Sequence, residues 1–90
     1  MRTPRFTKQF RRDLKRCQRR GLNIAELEAT AEHICHEGDA PIHMQPHHLL
    51  GNYKGYRECH IHPDWLLIYR ISDSVVLFSR TGTHADLFKK

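Results

Sequence analysis

The chain has 90 residues, fifteen Lys or Arg against ten Asp or Glu, eight histidines and a net charge of +5. That length points to one domain, residues 1–90, able to bury a core with little to spare. No apolar run approaches the ~20 residues of a membrane span, and the first ten residues lack the apolar stretch of a signal peptide, so a cytoplasmic protein is the expectation.

Residues 2–5 read as a short edge strand held by Pro4. From Thr7, a candidate N-cap, Phe6, Phe10, Leu14 and Cys17 recur at spacings that place them on one helical face. Gly21 ends this helix. Residues 1–20 hold nine Lys or Arg against the single acid Asp13. Such a run is either a surface that faces a polyanion or simply a solvated helix face. Asn23 followed by Glu26 has the pattern of a capping box and starts a second helix. Its apolar face is Ile24, Leu27, Ala31 and Ile34, and Gly38 with Pro41 stops it. Residues 21–52 carry five acids and no Lys or Arg.

Beyond Pro41 the period changes from helical to strand-like. Gly51-Asn52 marks a loop, residues 56–61 alternate as a half-buried strand, and His62-Pro63-Asp64 forms a tight turn. Residues 65–71 are apolar on both faces, which predicts a central strand. Ser72-Asp73-Ser74 turns into a further strand over 75–80, giving a hairpin. Thr81-Gly82-Thr83 breaks it, and residues 84–88 close the chain. The expected fold class is α+β: two N-terminal helices packed on one face of a small antiparallel sheet. The three cysteines, Cys17, Cys35 and Cys59, are odd in number and form no CxxC, which argues against a disulfide scaffold.

His47, His60, His62, Asp64, Arg80 and His84 all fall near predicted strand ends. Paired histidines can act as base and acid in one turnover, because imidazole titrates near working pH. An arginine beside them stabilises charge developing on a phosphoryl group. With no nucleophile elbow and no glycine-rich phosphate loop, this set describes a metal-free ribonuclease in which the RNA 2′-OH is the nucleophile. Metal binding is the competing reading, with Cys35/His36 and Cys59/His60/His62 as candidate ligands. Their irregular spacing ranks it second.

The strings LLGNYKGYRECHIHPDWLLIYRI and FSRTGTHADLF carry a resemblance that covers nearly the whole chain. They resemble the YafQ branch of the RelE-type toxins, the mRNA interferases of bacterial type II toxin–antitoxin systems. The resemblance implies a RelE-like, microbial-RNase-like fold. It also implies cleavage of mRNA in the A site of the 70S ribosome without metal or other cofactor, and neutralisation by a DinJ/RelB-like antitoxin. By the same resemblance His47 is the general base and His84 the general acid, while His60 and Asp64 support protonation and bind phosphate. Phe88 would stack on a base, with Arg80, Lys54 and Trp65 as further substrate-binding residues. Trp65 has an equal alternative as an anchor at the start of its strand. Arg11, Arg12, Lys15, Arg16 and Arg19 on the first helix would dock on ribosomal RNA.

The chain departs from the family pattern at His48, where relatives often carry Pro, so His47 and His48 can exchange roles. His62 stands at an often acidic position and reads as a rim residue. Tyr53 replaces Trp. A same-fold toxin of the ParE kind, which poisons a protein such as gyrase without cutting RNA, is the alternative function; those relatives lack the histidine set.

Overall fold

The first strand pairs with the last. In the computed structural model, which describes residues 1–88, five strands form one sheet in the order β1-β5-β4-β3-β2. They are β1 (Thr3–Phe6), β2 (His47–His48), β3 (Arg57–His62), β4 (Trp65–Ile71) and β5 (Val75–Gly82). β1 lies parallel to β5, with Thr3 opposite Val75 and Phe6 opposite Phe78, while all other pairs are antiparallel. The α+β class therefore holds, but the sheet is mixed. β1 occupies the expected edge, where Pro4 costs no ladder bond.

Two helices, α1 (Lys8–Arg19) and α2 (Ile24–Glu37), cover one face of the sheet. Thr7 caps α1 by accepting from the Phe10 N–H at 3.0 Å, and its hydroxyl donates to the Ser79 carbonyl at 3.0 Å, tying the helix start to β5. Asn23 caps α2 by accepting from the Ala25 N–H. The other half of the expected capping box is absent among the described bonds: the Glu26 carboxylate turns instead to His62. Gly38 ends α2 in the left-handed conformation, φ +90°.

Phe10, Cys17, Leu27, Ile34, Leu67, Tyr69 and Phe78 form the core between helices and sheet, each large side chain contributing roughly 1.5–3 kcal/mol by burial. β4 is buried from Trp65 to Tyr69, as its unbroken apolar run predicts. Its other face supports a smaller cluster, Leu66, Ile68 and Leu87, on which Leu49, Tyr53, Tyr56 and Phe88 pack. Leu87 belongs to α3 (His84–Phe88), a single short helix on the face opposite α1 and α2. That second face carries the site. No helix is long and apolar enough to cross a membrane among the described residues.

Candidate active site

Alternation along β3 sorts its side chains. Cys59 and Ile61 go to the helical core, whereas Glu58 and His60 face the opposite side. β2 adds His47 directly opposite Glu58. Three imidazoles then line up: His47 and His60 have ring centres 6.2 Å apart, and His60 and His84 6.0 Å apart. His60 is the middle one.

Each ring has a defined neighbour on Nδ1. That atom lies 2.9 Å from the Gln45 carbonyl in His47 and 3.2 Å from the Gln45 side-chain oxygen in His60. A carbonyl only accepts, so the His47 Nδ1 carries a proton and Nε2 is left to exchange one. Gln45 serves both rings from a left-handed backbone, φ +56°, among the described residues the one non-glycine with positive φ. The Nε2 atoms of His47 and His60 both lie 3.4 Å from the same oxygen of Glu58, a carboxylate that is only 5% exposed. The Glu58 carboxylate thus sits between the two imidazoles.

His84 opens α3 on the far side. Its Nδ1 lies 2.6 Å from Asp64 Oδ1, and its backbone N–H donates to the same oxygen at 2.9 Å. These two bonds, the backbone one first, hold the Asp64 carboxyl below the usual carboxylate range. Asp64 therefore stays ionised and accepts the Nδ1 proton, leaving the His84 Nε2 directed away from the pair. The arrangement fits proton transfer at two separate imidazoles, each oriented by an acceptor behind it.

The predicted residues divide clearly. His47, His60, Asp64 and His84 come together. His48 does not: it pairs with Arg57 in register, one residue out of phase with His47, so alternation sends it to the other face. His62 also leaves the cluster, because a bulge between His60 and His62 re-aims it. Its Nε2 meets Glu26 Oε2 at 2.6 Å, and its ring stacks on Trp65 with centres 6.0 Å apart. Phe88 packs half-buried on the Leu66, Ile68 and Leu87 cluster, its ring edge-on to Tyr53 at 5.9 Å. Lys54 is exposed in the loop after a 3-10 turn.

Two expected substrate contacts need correction. Trp65 is 2% exposed and donates its indole N–H to Thr81 Oγ1 at 2.9 Å, so it anchors the core and offers no open ring face to a base. Arg80 turns its fork to the fully buried Asp13, with Nε at 2.7 Å and Nη2 at 3.3 Å from the carboxylate. Arg16 is likewise engaged, its Nη2 2.9 Å from Asp13, and so is not a free docking charge. Arg11, Arg12, Lys15 and Arg19 are exposed on α1, with Arg11 lying over the Phe6 ring.

Sequence reasoning passed over Glu58 and Gln45. For Glu58, only its place opposite His47 across the ladder could have marked it. The proposed metal ligands do not share a face: Cys35 and Cys59 are in the helical core, while His36 is exposed on α2. Burial pushes the Cys59 thiol up to about 12. Among the described residues no group of three or more His, Cys, Asp or Glu has a metal-holding arrangement.

The chain is thus a small α+β domain that sets oriented imidazoles on one sheet face. Residues 2–89 match the family described as the bacterial toxin of type II toxin–antitoxin systems, YafQ, and the chain belongs to that family. It is 37% identical over 84 residues to the mRNA interferase toxin YafQ of Escherichia coli K12, covering 92% of this chain and 91% of that protein. A crystal structure of an E. coli YafQ mutant superimposes with a TM-score of 0.90 at 35% identity, over 98% of this chain and 99% of the other. The toxin in the crystal structure of the E. coli DinJ–YafQ toxin–antitoxin complex matches with a TM-score of 0.88 at 36% identity, over 97% of each chain.

Proposed function

We propose that the protein is an mRNA interferase, a ribosome-dependent endoribonuclease of the bacterial cytoplasm that halts translation and is neutralised by a DinJ-like antitoxin. The observation that carries the reading is the line of three imidazoles ending in the Asp64–His84 pair. A metal-free cleavage of RNA needs little else, because the substrate brings its own nucleophile.

His47 Nε2 takes the proton from the 2′-OH, whose oxygen attacks the adjacent phosphorus. The phosphorus–5′-oxygen bond breaks, and His84 Nε2 gives its proton to that oxygen. The products are a 2′,3′-cyclic phosphate and a 5′-hydroxyl. Glu58 offsets the charge that His47 gains, and Asp64 holds His84 in the tautomer that presents Nε2. His60, between them, hydrogen-bonds the non-bridging phosphate oxygens. Phe88 offers one face of its ring for a base to stack on. Arg80 and Trp65 act from behind, as supports of the site.

The enzyme's own contacts to bases are few, so the ribosome presents the message and the basic face of α1, through Arg12, Lys15 and Arg19, docks on ribosomal RNA. Primer extension on one mRNA after brief induction without antitoxin tests the reading. Discrete cuts at codon spacing within the open reading frame are expected. Intact mRNA in growth-arrested cells would point instead to a protein target such as gyrase.

A further inference from the structure

A chain of charges behind the site takes no direct part in the proton transfers above. Asp13, fully buried in α1, accepts from Arg80, from Arg16 Nη2 and from the Thr81 N–H. The buried Arg16 Nε, without a hydrogen-bond partner among the described residues, faces Asp86 Oδ2 across 3.7 Å. Asp86 in turn receives both arms of Arg20, at 2.6 and 3.1 Å. The chain thus runs from β5 through α1 and ends at Asp86, two residues beyond His84. Arg20 above all holds the Asp86 carboxyl well below the usual carboxylate range, so it is ionised wherever the protein works.

Asp86 has a second set of bonds. Its Oδ2 accepts from the Thr83 N–H at 2.9 Å, and its own N–H donates to Thr83 Oγ1 at 3.1 Å, a complete capping box around the start of α3. A helix of five residues is far below the ~12–15 that persist unaided, so its place depends on such end bonds. The next N–H, that of His84, goes to Asp64. Two carboxylates from different parts of the fold thus grip consecutive N–H groups where α3 begins. The fit is close: a side chain on Gly82 would meet Asp86 Oδ2 at 2.8 Å.

We infer that Asp86 and Arg20 are positioning residues for the cleavage: Arg20, at the end of α1, fixes Asp86, and Asp86 fixes the start of α3 so that His84 Nε2 meets the departing 5′-oxygen. The inference rests on the acid role given to His84 above.

Single-turnover cleavage on programmed 70S ribosomes at saturating protein tests it, using Asp86→Ala, Asp86→Asn, Arg20→Ala and the Asp86→Ala/Arg20→Ala double variant. Asp86→Ala should slow cleavage about 10²-fold, the loss a ~1 Å misplacement causes. Asp86→Asn and Arg20→Ala should lose less, since each keeps an acceptor for the Thr83 N–H. Adding Arg20→Ala to Asp86→Ala should cost nothing more, because the two act as one unit. With sulfur in place of the bridging 5′-oxygen the leaving group needs no proton, and Asp86→Ala should approach the parent rate. A merely unfolded variant would not be rescued. An Asp86→Ala protein as fast as the parent, or equally slow on both substrates, overturns the inference. A parent protein that cuts neither substrate overturns the functional reading, and the inference with it.

Discussion

At the scale of single residues, one phase difference separates two neighbouring histidines. His47 faces Glu58 and His60, and His48 faces away, so His47→Ala should slow cleavage by about 10²–10⁴-fold, the usual worth of a positioned acid or base. His48→Ala should leave the rate within a few-fold of the parent, and a time course on programmed ribosomes separates the two. Trp65 offers a second test, between anchor and base-stacking platform. Trp65→Phe keeps most of the apolar volume and loses one buried hydrogen bond, worth about 1 kcal/mol, so cleavage should persist with a lower Tm. If Trp65→Phe stays fully folded yet loses cleavage, the indole acts on substrate and the anchor assignment is wrong. These distinctions are only half legible in the sequence. Motif spacing brings out His47, His60, Asp64 and His84 together, but it carries no information on which face a side chain takes after a bulge, and so leaves His62 beside the site.

At the scale of elements, α1 sends its basic residues in two directions. Arg12, Lys15 and Arg19 are solvent-exposed, whereas Arg16 serves Asp13 and Asp86 inside the fold. Reversing the charges of Arg12, Lys15 and Arg19 should weaken ribosome binding and flatten its dependence on salt, by about 0.7–0.9 in log–log slope for each phosphate no longer neutralised. Filter binding across a salt series reads the slope; an unchanged slope would make this face merely solvated. Arg16→Ala should instead lower stability, since it strips a partner from a fully buried carboxylate. The helix and its basic run are plain in the sequence, but the number of charges cannot tell an outward arginine from one folded against an acid. Nor can it predict that Asp13, amid nine basic residues in the first twenty, is the buried hub. The parallel pairing of β1 with β5 is equally hidden, because it joins opposite ends of the chain and leaves no local signal.

At the scale of the whole molecule, helices cover one face of the sheet and the proposed site lies on the other. Acid should undo the stability through specific carboxylates. Burial alone would raise Asp39, but the Tyr69 hydroxyl at 2.6 Å and Arg57 at 2.5 Å more than offset it and hold the group below its usual range. Asp64 and Asp86 are displaced in the same direction. A carboxyl lowered by folding stabilises the fold above its unfolded value near 3.9 and loses that contribution as pH falls toward its folded value. Unfolding followed by circular dichroism should therefore set in below about pH 4, and Asp39→Asn should lower stability at neutral pH while flattening that acid limb.

Both faces matter only if the protein cuts mRNA as the ribosome presents it. The decisive measurement incubates the purified protein, free of antitoxin, with one end-labelled mRNA, naked in one reaction and bound in programmed 70S ribosomes in the other. On ribosomes a single cut should fall at the A-site codon, leaving a 2′,3′-cyclic phosphate on the upstream fragment. The naked message should be cleaved little, and His84→Ala should cut neither. Equal cutting of naked and ribosome-bound mRNA, or a folded His84→Ala protein that cuts like the parent, would contradict this.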